Sequence, residues 1–145
     1  MAVIAPRVVA ALAAALLAVA LRADQTSDAL AEVNRVATAL SANNPAEAIA
    51  QFDQSYPDYD KLKNYFIGLT GAYTITNEAT ILDERDSPGV AILTLDWTLT
   101  LTQPNTSLSK QRTSKVQVRV VRKKRKWKIV SFSPIEIFNP AISSP

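Results

Sequence analysis

Apolar residues change their spacing once along this chain, and the change divides it into a helical half and a strand half. Leu30, Val33, Val36, Ala37 and Leu40 recur three and four residues apart, which is the spacing of one helix face. Thr26-Ser27-Asp28 ahead of them offers an N-cap with an acid in the first turn. The pattern stops at Asn43-Asn44-Pro45. There Asn44 can cap a second, short helix with Pro45 at its first position and Glu47 three residues after the cap, a variant of the capping box, with Ile49 and Phe52 as its buried side. Ser55-Tyr56-Pro57-Asp58 breaks the chain again and opens a third helix. Tyr59, Leu62, Phe66 and Leu69 lie on one face of it and Lys61 and Lys63 on the other, and Gly71 is its expected end.

From Ala72 the period is two and β-branched residues become dense. Tyr73, Ile75, Asn77, Ala79 and Ile81 alternate with Thr74, Thr76, Glu78, Thr80 and Leu82, and a charged turn is expected from Asp83 to Gly89. In the next strand Ala91, Leu93, Leu95, Trp97, Leu99 and Leu101 face one way, and Ile92, Thr94, Asp96, Thr98, Thr100 and Thr102 face the other. A polar connection, Gln103 to Ser107, leads to a strand carrying Val116, Val118 and Val120. After it come the five cations Arg122-Lys123-Lys124-Arg125-Lys126 and then Trp127-Lys128-Ile129-Val130-Ser131-Phe132, a hairpin with a basic tip. Ser133-Pro134 ends or bends the last strand; Ile135, Ile137 and Phe138 are expected to pack back, and residues 139–145 form a flexible tail. Helices first and long antiparallel strands after them is an α+β order, with the helices covering one face of the sheet.

Residues 1–23 have a different character. Arg7 precedes an apolar run of 14 residues from Val8 to Leu21, too short to span a bilayer as a helix, which takes about 20. Ala18-Val19-Ala20 supplies a small-x-small cleavage pattern, with a second cut possible after Ala23. The expectation is a secretory leader and an exported domain, periplasmic or secreted, over residues 24–138. If the leader is instead kept as an anchor, the domain still lies outside the cytoplasm and only then touches a membrane.

Composition narrows the chemistry. With 48% hydrophobic and 20% charged residues the chain is a folding globular sequence, and 145 residues suffice for one domain with its own core. It has no cysteine, which excludes disulfides, thiolate metal sites and thiol nucleophiles. It has no histidine either, so the usual general base near neutral pH and the commonest metal ligand are missing. No metal or cofactor is expected. The net charge of +3 hides an asymmetry: residues 24–100 hold 12 acids and 4 bases (−8), and residues 101–145 hold 10 bases and 1 acid (+9). Folding can set these segments against each other, so the charge alone names no anionic partner.

Residues 27–138 resemble the nuclear transport factor 2-like superfamily, whose members include ketosteroid isomerase-like and polyketide cyclase-like proteins. The resemblance is carried by the long first helix, the short Pro45-Ala46-Glu47-Ala48-Ile49 helix, the Asp58–Leu69 helix and the closing basic turn with its Trp127-Lys128-Ile129-Val130 strand. It implies a cone: a strongly bent sheet wrapped around the first helix, with a pocket opening between sheet and helices. Enzymes of the superfamily place acids, tyrosines or histidines in that pocket. None of their catalytic motifs matches this chain position by position, so the resemblance assigns no catalytic residue here, and fold alone fixes no function.

Three groups of residues are candidates. Tyr56, Tyr59, Tyr65, Tyr73 and Trp97 can wall a pocket for a small apolar ligand, or simply fill a core at helical and strand spacing. Asp53, Glu78 and Asp96 are the acids embedded in ordered apolar segments; one of them, with a tyrosine, is what an isomerase-type proton transfer requires. Arg122, Lys123, Lys124, Arg125, Lys126 and Lys128 form a basic patch able to meet lipid phosphate or another envelope polyanion, or a solvated turn. Nucleic acid fits neither export nor the absence of a recognised binding motif. Asn105-Thr106-Ser107 matches a glycosylation sequon, relevant only in a eukaryotic secretory pathway. The leading expectation is a binding or accessory domain for a small apolar ligand or an unknown protein partner, with a homodimer possible through the open sheet face. A small cofactor-free isomerase or cyclase using Asp and Tyr, and a structural subunit of an envelope assembly, are the alternatives.

Overall fold

The computed structural model describes residues 25–141; the expected leader, both of its cleavage points and the last four residues of the expected tail lie outside them. Residues 25–41 are helical (α1), and Ala29, Val33, Val36 and Leu40 turn its apolar stripe into the core, each at most 1% exposed. Asn43 takes the left-handed conformation (φ 57°) that closes α1, and the Asn44 amide turns back to the Ala39 carbonyl at 2.8 Å. That same Asn44 then caps α2 (Pro45–Ala50) by accepting from the Glu47 amide at 3.1 Å. The reciprocal half of a capping box is not made, because the Asn44 amide is spent on α1 and the Glu47 carboxylate accepts from Gln51. α3 (Tyr59–Ala72) buries Leu62, Phe66 and Leu69 and runs one residue past Gly71.

Four strands follow in sequential antiparallel order, β1 (Thr74–Ser87), β2 (Val90–Thr102), β3 (Ser109–Lys123) and β4 (Lys126–Ser133). Two are longer than their apolar alternation foretells. The charged segment from Asp83 is strand rather than turn as far as Ser87, because a bulge at Leu82 shifts the register and lets 83–87 keep pairing with 90–94. The turn itself is only Pro88-Gly89, with Gly89 at φ 76°, a left-handed conformation that glycine takes without strain. β3 likewise begins at Ser109, since backbone pairing with the buried β2 does not require apolar side chains on its partner. A second register shift, between Arg119 and Val120 against β4, adds to the bending.

The fold is α+β: three helices lie on one face of a curved four-stranded antiparallel sheet, and the other face is open. Ala91, Leu93, Leu95, Trp97, Leu99 and Leu101 are completely buried, as their alternation predicts. Residues after α2 add a short parallel bridge to β4, with the Asp53 amide on the Ile129 carbonyl at 2.8 Å and the Ile129 amide on the Gln51 carbonyl at 2.9 Å. After Ser133 a 3-10 helix (Ile135–Phe138) folds Ile135, Ile137 and Phe138 into the core. Among the described residues the core cluster runs from Ala29 to Phe138. No helix among the described residues is long and apolar enough to cross a membrane.

Candidate functional site

The space between sheet and helices is occupied by aromatic rings. Trp97 from β2 meets Phe132 of β4 and Phe138 of the 3-10 helix edge to face, both at 5.6 Å between centroids. Phe66 of α3 meets Phe138 at 5.2 Å, and Phe52 joins from the other side at 6.0 Å from Phe66. These are the separations of rings in direct contact. The Trp97 indole donates to Asn77 Oδ1 at 3.0 Å, and Asn77 Nδ2 in turn reaches the Ala37 carbonyl on α1, so the one polar group of the ring cluster is satisfied.

The five aromatic candidates are distributed rather than gathered. Trp97 and Tyr56 belong to the core; the Tyr56 hydroxyl donates to the Phe132 carbonyl at 2.9 Å, and burial pushes its ionisation up. Tyr65 sits at the surface over Glu136, 3.2 Å away, beside Lys61. Tyr73 is half-buried at the end of α3, and Tyr59 lines a hollow of about 490 Å³ with Asp53 and Lys128.

Of the three acids, Glu78 and Asp96 lie exposed on the open sheet face, opposite Thr98 and Lys115 in register. Asp53 is largely covered, its side chain 14% exposed, and is tied down as an anion. Lys123 Nζ approaches to 2.5 Å, and the Ser55 amide and hydroxyl donate at 2.9 and 2.6 Å. The lysine first and the serine second hold its carboxyl well below the usual range.

The basic hairpin is where a concave site forms. Its base and the exposed sides of α1 and α2 enclose a cleft of about 610 Å³. Arg122, Arg125, Lys126, Trp127 and Lys128 form one wall; Asp28, Glu32 and Arg35 of α1, Glu47 of α2 and Gln51 just after it form the other. Lys128 is fixed by donating to the Ala50 carbonyl at 2.6 Å, and Trp127 packs partly on the core. At the floor is Glu32, only 6% exposed and paired with Arg35. Burial raises its pKa, with Arg35 and Lys128 opposing and Glu47 adding to the rise. The cleft thus holds a cationic wall, an acidic wall, one flat indole and one buried carboxyl that gains a proton more readily than an exposed one. Among the described residues no cluster of acids has the make-up of a metal site.

Sequence reasoning found the cationic wall and missed Glu32 and Arg112. Glu32 was readable in principle, three residues from Ala29 and four from Val36 and so at the margin of the buried stripe. Arg112 shares the inward phase of Val116, Val118 and Val120; it is buried and donates to the Ile137 and Asn139 carbonyls at 2.9 and 2.8 Å, tying the C-terminal segment to β3.

No protein-family model matches the chain, and no curated protein matches its sequence. Solved structures do match its shape. A protein of unknown function from Mycobacterium tuberculosis superposes with a TM-score of 0.68 at 14% identity, over 79% of this chain and 72% of that one. A hexachlorocyclohexane dehydrochlorinase superposes with a TM-score of 0.60 at 10% identity, over 77% of this chain and 84% of the other. A nuclear transport factor 2-like superfamily protein from Salmonella enterica serovar Typhimurium gives 0.54 at 14% identity, over 78% and 89%. The chain therefore has the nuclear transport factor 2-like fold. At these identities the likeness defines architecture, and the fold carries both enzymes and proteins without a known activity.

Proposed function

We propose that the chain is an exported, non-enzymatic binding or accessory domain whose ligand seats in the charged cleft beside the β3–β4 hairpin. The observation that carries this reading is the pairing of a ring-filled interior with an external cleft bearing two walls of opposite charge. A pocket in the middle of the cone requires space that Trp97, Phe132 and Phe138 occupy. The cleft, in contrast, offers what small-molecule sites combine: concavity, an aromatic surface at Trp127 and a few convergent charges. Its chemistry suits a small molecule or partner side chain with an anionic group for Arg122, Arg125 and Lys126 and a hydrogen-bond donor for Glu32. Export rests on the leader-like residues 1–23.

One observation favours a second reading. Glu32 is a buried acid with a raised pKa in an open cleft, the disposition of a general acid or base. A cofactor-free isomerase or cyclase would then use Glu32 rather than Asp53, Glu78 or Asp96. A native mass spectrum of the protein isolated from its own cells separates the cases. The binding reading expects a co-purifying small mass, released on denaturation and lost in Arg122→Ala/Arg125→Ala. Chemical conversion of that molecule by the parent but not by Glu32→Gln establishes the enzyme. A protein carrying neither small molecule nor partner defeats both.

A further inference from the structure

The chain enters the described fold at the same end as its basic tip. The Gln25 side chain, at the first described residue, donates to the Ser87 carbonyl at 2.6 Å and the Val90 carbonyl at 2.8 Å, while its Oε1 accepts from the Gly89 amide at 3.3 Å. α1 is thereby fastened to the β1–β2 turn. The Arg122 amide donates to the Gly89 carbonyl at 2.8 Å, so the β3–β4 hairpin stands against that same turn. Lys123 and Lys124 continue beyond it, which projects the tip by about two residues, roughly 7 Å at the rise of a strand. In sequence the apolar run from Val8 to Leu21 ends four residues before Gln25, whose side chain is fastened beside this tip.

We propose that this end of the molecule is a membrane-facing surface, on which Arg122, Lys124, Arg125 and Lys126 bind the headgroups of anionic phospholipids, whether or not the leader has been removed. All four are exposed. Lys123 is not counted, because Asp53 neutralises it, nor is Lys128, which donates to the Ala50 carbonyl. Of the acids around the hairpin, Asp53 is paired with Lys123, Asp28, Glu32 and Glu47 line the cleft, and Asp86 accepts from Thr26 at 2.6 Å. The projecting Lys124-Arg125 turn therefore leads with positive charge. The other end of the sheet makes a contrast, since the Gln103–Leu108 connection there carries no charged residue. An exposed basic cluster beside the first described residue is placed for the electrostatic attraction of anionic headgroups.

The test is flotation of residues 21–145, which contain every described core residue, with vesicles of neutral phosphatidylcholine and with vesicles containing about one-third phosphatidylglycerol. Binding is expected to the anionic vesicles only, released by raising salt to roughly 0.5 M. Lys124→Asn/Arg125→Gln, which keeps a residue tolerant of the left-handed turn at 124, is expected to bind about 30-fold more weakly. Lys110→Gln/Lys115→Gln, with the same loss of net charge at exposed residues of β3 away from the tip, retains binding. Equal binding to both vesicles, no binding, or equal loss in the two variants overturns the proposal. So does displacement by millimolar inorganic phosphate, which assigns the tip to a soluble anion instead. Because the two readings share Arg122, Arg125 and Lys126, the cleft's ligand is reported separately, by its mass in Glu32→Gln, which leaves the projecting tip and its vesicle binding unchanged.

Discussion

The inner face of the sheet and the hairpin end are built on the same two strands, yet the strands use their side chains in opposite ways. Val116, Val118 and Val120 on β3 and Ile129 and Phe132 on β4 are covered and apolar, with Arg112 buried in the same phase earlier on β3. One residue pair further out, Arg122, Trp127 and Lys128 line a cleft whose opposite wall is acidic. The same ladder therefore makes a closed core at its inward apolar positions and one wall of a cleft where α1 and α2 turn charged sides toward it. The difference teaches that the concavity at this end is set by which sides of α1 and α2 face the hairpin. The −8 and +9 halves of the sequence meet at this boundary, in the cleft and in the Asp53–Lys123 pair.

The strongest way to break the comparison is to open the closed region. Trp97→Ala removes the ring that touches both Phe132 and Phe138 and strips Asn77 Oδ1 of its donor. A loss of about 3–5 kcal/mol in urea unfolding is expected. Trp97→Phe keeps a ring and loses the hydrogen bond, so a loss of about 1–2 kcal/mol is expected. A Trp97→Ala protein as stable as the parent would mean that the centre is not packed and that the interior is available to a ligand after all.

A smaller effect tests whether the hairpin depends on the body beneath it. Asp53 connects the two, binding Lys123 at 2.5 Å while its amide sits on β4. Asp53→Asn is expected to cost about 1–2 kcal/mol at neutral pH. The sign with pH follows from the lowered pKa. The ionised carboxylate is the form the fold favours, so its contribution is present above about pH 4 and declines as pH falls further. Urea midpoints of parent and variant should accordingly converge in acid. A constant gap from pH 7 to pH 3 would assign the loss to packing rather than charge.

How much of this was legible beforehand differs between the two regions for a physical reason. The core was readable because burial imposes a period: β2 alternates without exception from Ala91 to Leu101, and α1 keeps its stripe. The Asn44 cap was readable from local chemistry alone. The site was half readable. A run of five cations is visible in any sequence, but its concavity depends on α1 and α2, which lie about 75 or more residues earlier in the chain. Asp53 resembled a buried reactive acid because it follows the apolar Ile49 and Phe52, whereas its partner Lys123 comes from the far hairpin. Tyr56, Tyr59, Tyr65 and Tyr73 were alike as residue types, and only the fold separates the one in the core from the others at its margin.

The smallest expected effect is the most informative about the cleft. Glu32 is ionisable and buried, with Arg35 in contact, Lys128 attracting from the hairpin and Glu47 repelling; Asp28, Arg122, Arg125 and Lys126 complete its charged surroundings. Burial raises its pKa, so the fold disfavours the ionised form. The cost is absent below about pH 4, where the group is protonated folded or unfolded, and present once pH passes the folded value. Glu32→Gln is then expected to raise stability by up to about 1 kcal/mol at neutral pH, with the gain vanishing in acid. A loss at neutral pH would instead show that the pair with Arg35 outweighs burial and that Glu32 is a strut holding the acidic wall. A gain would mean that the chain keeps a destabilising carboxyl at the floor of its cleft, which packing does not explain and which binding, or proton transfer, does.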